Sequence, residues 1–316
     1  MDQLRALRVF TQVIAEGSFA GAARVLDLAP AVVTRAVSDL EDHLGVRLLN
    51  RTTRKLALTE VGQEYLERAK RILAELDDAD ALAGVVNTAP SGTLSVLCPP
   101  AFATHQLVRH LPVFRRRFPD IQLELLAAGP VETADENFDI SILSIGQQAL
   151  QGDFVVRPLA ASTFVLCASA AYLQRCGQPR QPEDLLQHDG LLPAVAAVRR
   201  ELTLFREAHG TAGASRRILK VSLRPPAIST AQLDVLYAAA VAGMGVAGLP
   251  TFMVADALRD GRLVRVLPDW HGGSLQLYAA MPTRKHVPAR TRAFIDFLVE
   301  IFGGNQDDPW LASIKP

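Results

Sequence analysis

Between Ala31 and Lys55 lie the side chains whose types and spacing suit a definite chemistry. Ala31, Thr34, Arg35 and Ser38 recur at helical spacing on one face, and they are small, hydroxylated or cationic. Such a face can lie in a DNA major groove, reaching base edges and adjacent phosphates. Just beyond it, Arg47, Arg51, Thr52, Arg54 and Lys55 form a run free of acids, suited to phosphate contacts or minor-groove insertion. No catalytic set competes with this reading. No His/Glu pair has zinc spacing, and neither GxSxG nor a P-loop occurs. Gly243-Met244-Gly245-Val246 is a helix-to-strand turn rather than a phosphate cradle, because a strand follows it. Cys98, Cys167 and Cys176 lack metal-ligand spacing and read as small buried hydrophobes in a reducing cytoplasm, with a Cys167–Cys176 redox pair as the minor alternative. His105, His110 and His188 stand beside charged or turn residues and are expected to be solvated. The expectation is a chain that is not an enzyme and holds no cofactor or metal.

The elements around these residues are legible. Ser18 is a good N-cap for a short helix with Ala22, Ala23 and Leu26 on one face. Asp27-Leu28-Ala29 is a tight turn, and Pro30 sits at the first position of the next helix. Val33, Val37, Leu40 and Leu44 form its apolar stripe, opposite the polar face, and Gly45 ends it. Two alternating runs, Val46 to Asn50 and Lys55 to Leu58, predict a two-stranded wing with Arg51, Arg54 and Lys55 near its tip. Leu4, Leu7, Phe10 and Ile14 line one side of a preceding helix. Thr59 caps a long helix on which Tyr65, Ala69, Ile72, Leu76, Ala79 and Ala83 make a heptad seam, a candidate dimerisation surface. The alternative is a helix packed on its own domain.

The runs LRVF, EGSFAGAARVL, PAVVTRAVSDLE and LGVRLLNRTTRKLALTEVG carry a resemblance to the LysR-type transcriptional regulators, and the similarity continues to Phe302. It implies an α+β chain: a winged helix-turn-helix over residues 1–58, a linker helix over 59–86 and a hinge over 87–92. A two-lobed α/β effector-binding domain similar to periplasmic binding proteins follows over 93–302, with lobe I at 93–161 and 268–302 and lobe II at 162–267. Residues 303–316 are expected to be a flexible tail. The implied partners are double-stranded DNA at an interrupted palindrome, a small-molecule effector, a second copy in a dimer or dimer of dimers, and RNA polymerase. The expected DNA contacts are Ser18, Pro30, Ala31, Thr34, Arg35, Ser38, Arg51, Thr52, Arg54 and Lys55. One departure stands out: Ala29 occupies a place where the family usually has a capping residue, and loss of a cap costs about 1 kcal/mol.

Beyond Asn87-Thr88-Ala89-Pro90-Ser91-Gly92 the pattern turns to alternating strands and helices, which predicts an open α/β sheet. A helix is expected over Ser229 to Ala242. Ligands in such folds sit at the carboxyl ends of strands. That rule selects Pro99, Phe102, Thr104, Ser144, Pro193, Ser229, Thr230 and Val246 as effector candidates. Leu143-Ser144 stands where the family often carries arginine, so a neutral or weakly anionic metabolite is expected. The formal net charge is zero over 316 residues, so DNA affinity must come from a local basic patch rather than a basic coat. No signal peptide or membrane-length apolar run is read, which points to the cytoplasm. A small-molecule-binding or enzymatic α/β protein without DNA-directed function would need no basic wing. A purely architectural DNA protein would need no two hundred residues of α/β sequence.

Overall fold

A computed structural model describes residues 2–52, 55–82, 90–146, 148–194, 201–206, 217–282 and 287–314, with the backbone alone at 51, 52, 55, 74, 75 and 77–82. The chain divides into two compact units, residues 1–89 and 90–316.

In the first unit α1 (Gln3–Ala15), α2 (Phe19–Val25) and α3 (Pro30–Leu44) pack around one core. Ser18 accepts the amide of Gly21 and starts α2, while Pro30 opens α3 behind an Ala29 that makes no side-chain cap. Gly45 ends α3 in the left-handed region, at φ 69°. Val33, Val37 and Leu40 are fully buried against Leu7, Phe10 and Val13 of α1, and each such burial contributes about 1.5–3 kcal/mol. The α1 stripe is rotated from the sequence reading: Leu4 is 41% exposed, whereas Ala6, Val9 and Val13 are inside. The wing is β1 (Leu49–Thr52) and β2 (Lys55–Leu58), antiparallel with Thr52 opposite Lys55. Its first strand starts later than expected because Leu48 and Leu49 are drawn into the core. The long helix α4 (Glu60–Leu82) follows at once.

The second unit is organised by one long strand. Its elements in order are β3 (Gly92–Cys98), α5 (Pro100–Phe102), a π-helical turn (Ala103–Leu107), α6 (Val108–Arg117), β4 (Ile121–Ala127), β5 (Ile140–Ile145) and β6 (Phe154–Ala168). Then come α7 (Ala170–Cys176), a 3-10 turn (Pro182–Gln187), β7 (Gly190–Pro193), β8 (Glu201–Arg206), β9 (Arg217–Ser222), β10 (Ile228–Thr230), α8 (Leu233–Val241) and β11 (Val246–Pro250). The last are α9 (Thr251–Arg259), β12 (Val264–Arg265), β13 (Ser274–Pro282), α10 (Ala289–Phe302) and α11 (Pro309–Ala312). The sheet order is β10-β7-β11-β6-β13-β5-β3-β4, with β12 also on β6. Strand β6 pairs with β13 up to Thr163 and with β11 from Phe164 onward. It therefore belongs to both lobes. β8 and β9 form a separate hairpin. Burial on both faces of β5 accounts for its run of apolar residues.

Three expectations are corrected here. Ser229 lies in a short strand rather than a helix, since Ile228–Thr230 pairs in parallel with β7 and α8 starts only at Leu233. The histidine at 188 is buried, not solvated, with its ring against Tyr172. The stretch expected to be a loose tail is, from Gly304 to Ile314, not loose. Asp308 caps α11 by accepting the Leu311 amide at 2.8 Å, and Trp310 packs against Phe102, Phe252 and Phe302. The Asp308 carboxylate also accepts from Thr251 Oγ1 and from the Thr163 amide, both at 2.8 Å. The tail thus straps the place where β6 passes from one half-sheet to the other. No described helix is long and apolar enough to cross a membrane.

Candidate functional site

The polar face of α3 is presented as the helical spacing requires. Pro30, Ala31, Thr34 and Arg35 are exposed and Ser38 is half-buried, while the opposite stripe is closed. Thr34 Oγ1 donates to the Pro30 carbonyl at 3.0 Å, which leaves its lone pairs as acceptors. The Arg35 guanidinium is 84% exposed and meets Asp39 only at 4.0 Å. An exposed pair of that kind contributes at most about 1 kcal/mol, so the arginine is available to a base edge or phosphate. Ser18 is a helix cap whose hydroxyl accepts from Gly21 at 3.0 Å. Arg51, Thr52 and Lys55 lie in the wing strands by their backbones, and Arg54 is outside the described residues.

Two residues that the sequence reading passed over hold this wing in place. Glu41, nearly buried on α3, accepts the amides of Leu48 and Leu49. Gly62 on α4 lies against the Leu48 carbonyl, where a Cβ would come within 2.0 Å of the oxygen. The capping pair of Thr59 and Gly62 marks the start of α4: the Gly62 amide donates to Thr59 Oγ1 at 2.9 Å. A glycine two residues into a capped helix is the one signal that pointed here, because helix propensity disfavours it by about 1 kcal/mol.

On α4, Tyr65 is half-buried with its ring edge-on to Phe10, and Ala69 is buried with Leu66 and Leu73 in the first unit's own core. Ile72 is 48% exposed and Leu76 is half-buried. Ala79 is described by its backbone only, and Ala83 lies outside the described residues.

In the second unit the expected effector residues separate into groups. Pro193, Ser229 and Thr230 are together at the carboxyl ends of the parallel strands β7 and β10, with Pro193 opposite Thr230. Ser229 is exposed there, and Thr230 Oγ1 accepts the Gln232 amide. Pro99 and Ser144 sit at the ends of the parallel neighbours β3 and β5, both half-buried. Thr104 is exposed in the π-helical turn, a deviation often found at functional sites. Phe102 and Val246 are corrections. Phe102 has no exposure, because Phe252, Phe302 and Trp310 surround it. Val246 is 5% exposed, in the buried cluster that also holds Tyr172 and Leu166. Neither side chain is open to a ligand.

The titratable groups of this unit are structural in their contacts. His105 Nε2 lies 2.9 Å from Asp234, and Arg109 lies 2.8 Å from Asp256. With Gln106, which donates to the Phe252 carbonyl, they fasten the segment after β3 onto α8 and α9. Burial holds His188 below its ordinary value, with Asp184 and Asp189 pulling the other way. Burial pushes the Cys98 thiol well up and Cys167 to about 12. Cys176 is exposed, not buried as expected, because it stands at the end of α7. No group of three or more metal-binding side chains occurs among the described residues.

A winged helix-turn-helix followed by a two-lobed α/β domain defines a ligand-responsive DNA-binding regulator. Residues 4–63 match the bacterial regulatory helix-turn-helix model of the lysR family, and residues 87–303 match the LysR substrate binding domain. The chain belongs to the LysR family of transcriptional regulators. It is 34% identical over 303 residues to the uncharacterised regulator YhjC of Escherichia coli K12, covering 95% of this chain and 98% of that one. It is similar to the solved CrgA of Neisseria meningitidis, with 31% identity, TM-score 0.58, and 95% and 98% of the two chains covered. It is also similar to the full-length Vibrio cholerae virulence activator AphB, at 26% identity and TM-score 0.56, covering 95% and 99%. The protein is thus a transcription regulator and not an enzyme, with a DNA-binding and an effector-binding domain.

Proposed function

We propose that this regulator reads an interrupted palindrome in double-stranded DNA as a homodimer, or a dimer of dimers, in the cytoplasm. In each reader Thr34 and Arg35 meet base edges, with Ala31 small enough for close approach and Ser18, Pro30 and Ser38 at the flanks. Arg51, Thr52, Arg54 and Lys55 hold the phosphate backbone. The observation that carries this reading is the exposed Ala31-Thr34-Arg35 face of α3 beside a wing of cations. One reader spans only a few base pairs, so specificity needs two half-sites. The exposed Ile72 and the half-buried Leu76 are the part of the α4 seam that supports pairing with a second copy. A neutral or weakly anionic metabolite binds near Pro99, Thr104, Ser144, Pro193, Ser229 and Thr230. By changing the angle between readers it alters the DNA bend presented to RNA polymerase.

Footprinting upstream of the protein's own coding sequence, with and without candidate metabolites, locates the operator. Arg35→Ala then lowers the ratio of specific to random-sequence binding, with about 1–3 kcal/mol at stake in a good base contact. Arg54→Ala weakens all sequences alike and flattens the salt dependence. Unchanged operator affinity in the double variant would remove the proposal.

A further inference from the structure

An acid on the recognition helix of a DNA reader works against its task, since it repels the polyanion it must approach. Glu41 is such an acid, and it is 9% exposed. Its contacts account for its presence. One oxygen, Oε1, accepts the Leu48 amide at 2.9 Å and the Leu49 amide at 3.0 Å. Hydrogen bonds to an ionised acceptor are roughly twice as strong as neutral ones. Leu48 and Leu49 have no exposure, and β1, which carries Arg51 and Thr52, begins at Leu49. On the far side the same peptide is held by α4. The Leu48 carbonyl accepts the Thr59 amide at 2.9 Å, and Thr59 Oγ1 donates to the Arg47 carbonyl at 2.8 Å.

We infer that Glu41 is the positioning residue of the wing: by gripping the Leu48 and Leu49 amides it sets β1, and Arg51 on it, at a fixed bearing to the recognition helix, α3. The inference rests on the proposed wing–phosphate contacts and adds what aims them. Leu48 is the junction. Glu41 ties it to α3, and Thr59 ties it to α4, so the recognition helix, wing and linker helix move as one body.

The test is binding of the full chain to a random-sequence 60-base-pair duplex over a range of salt, because phosphate contacts carry no sequence information. Active protein is counted by stoichiometric titration, so loss of folded material does not enter the slope. Arg51→Ala is expected to lower the slope of log affinity against log salt by about 1 for each phosphate it no longer neutralises. Glu41→Leu is expected to lower it at least as much, and Arg51→Ala added to Glu41→Leu is expected to change little further. Glu41→Gln keeps an acceptor oxygen in place and retains most of the slope. Glu41→Asp keeps the charge but withdraws it by one methylene, and it behaves like Glu41→Leu while preserving more of the fold. A purely structural role would reduce the active fraction and leave the slope alone, which overturns the inference. So does a full Arg51→Ala effect in the Glu41→Leu or Glu41→Asp background. A wild-type slope in Arg51→Ala by itself overturns the wing contact, and the inference falls with it.

Discussion

Replacing Gly62 with alanine sets two effects against each other in the first turns of α4. Alanine favours a helix over glycine by about 1 kcal/mol. Against this, the new Cβ would lie 2.0 Å from the Leu48 carbonyl oxygen, 2.9 Å from its carbon and 3.1 Å from Leu48 Cα. All three are backbone atoms, so no side chain can swing aside, and the helix and wing must separate by about 1 Å. Overpacking of that kind costs about 1–3 kcal/mol. The Thr59 amide, which donates to the same carbonyl at 2.9 Å, is stretched and adds about 1 kcal/mol. The steric side wins, with a net loss of about 1–3 kcal/mol. Each 1.36 kcal/mol is a factor of ten, so local opening rises by about 5- to 150-fold. Hydrogen exchange of peptides spanning residues 46–62 in the full chain reads this directly. Exchange unchanged or slowed in Gly62→Ala would mean that helix propensity alone decides, and that the close approach of α4 to Leu48 is not a feature of the protein.

Other outcomes follow from the second unit and from the linker. The folded pKa of His188 lies below its unfolded value, so the unfolded chain takes up the proton first. Stability is therefore whole above about pH 6.5 and falls as pH drops below it; His110 acts in the same direction. Melting temperatures between pH 7.5 and 5.5 should decline in the wild type and decline less in His188→Phe, with a flat wild-type profile counting against the reading. Trp310→Ala removes a buried ring from the Phe102, Phe252 and Phe302 cluster, at a cost of about 3–5 kcal/mol. Calorimetry should show a drop of about 6–20 °C, and an unshifted melt would mean the strap is not engaged. Ile72→Glu with Leu76→Glu should reduce assembly size in sedimentation and operator affinity in gel shift; full assembly and full affinity together would clear the seam of any pairing role.

The DNA reader was legible because its signals are local. A proline at N1, a left-handed glycine at the far end and a stripe between them bound α3 within a residue. Glu41 was passed over because a charged residue on a helix reads as solvent-facing until the chain returns seven residues later to offer its amides. In the second unit the alternation of strands and helices was recognisable, but the first half of β6 was not, since it owes its pairing to β13, far later in the chain. Phe102 looked like a cleft residue by its place at a strand end, and its ring is covered by Phe252, Phe302 and Trp310, all from far later in the chain. His188 was misread because its partner Tyr172 lies earlier in the chain, on α7.

That tail also bears on where an investigator cuts the gene. The family match to the effector-binding domain stops at residue 303, and a fragment trimmed there would look complete by sequence. It would lack Asp308, which takes the Thr163 amide and the Thr251 hydroxyl, and it would strip the Trp310 ring from Phe102 and Phe252. A ligand screen on such a fragment would be run on a molecule whose β6 crossover has lost its strap and whose core has lost a buried ring. A fragment for that purpose should run from residue 90 to the last residue, with any affinity tag joined after Pro316 rather than in place of the final turn.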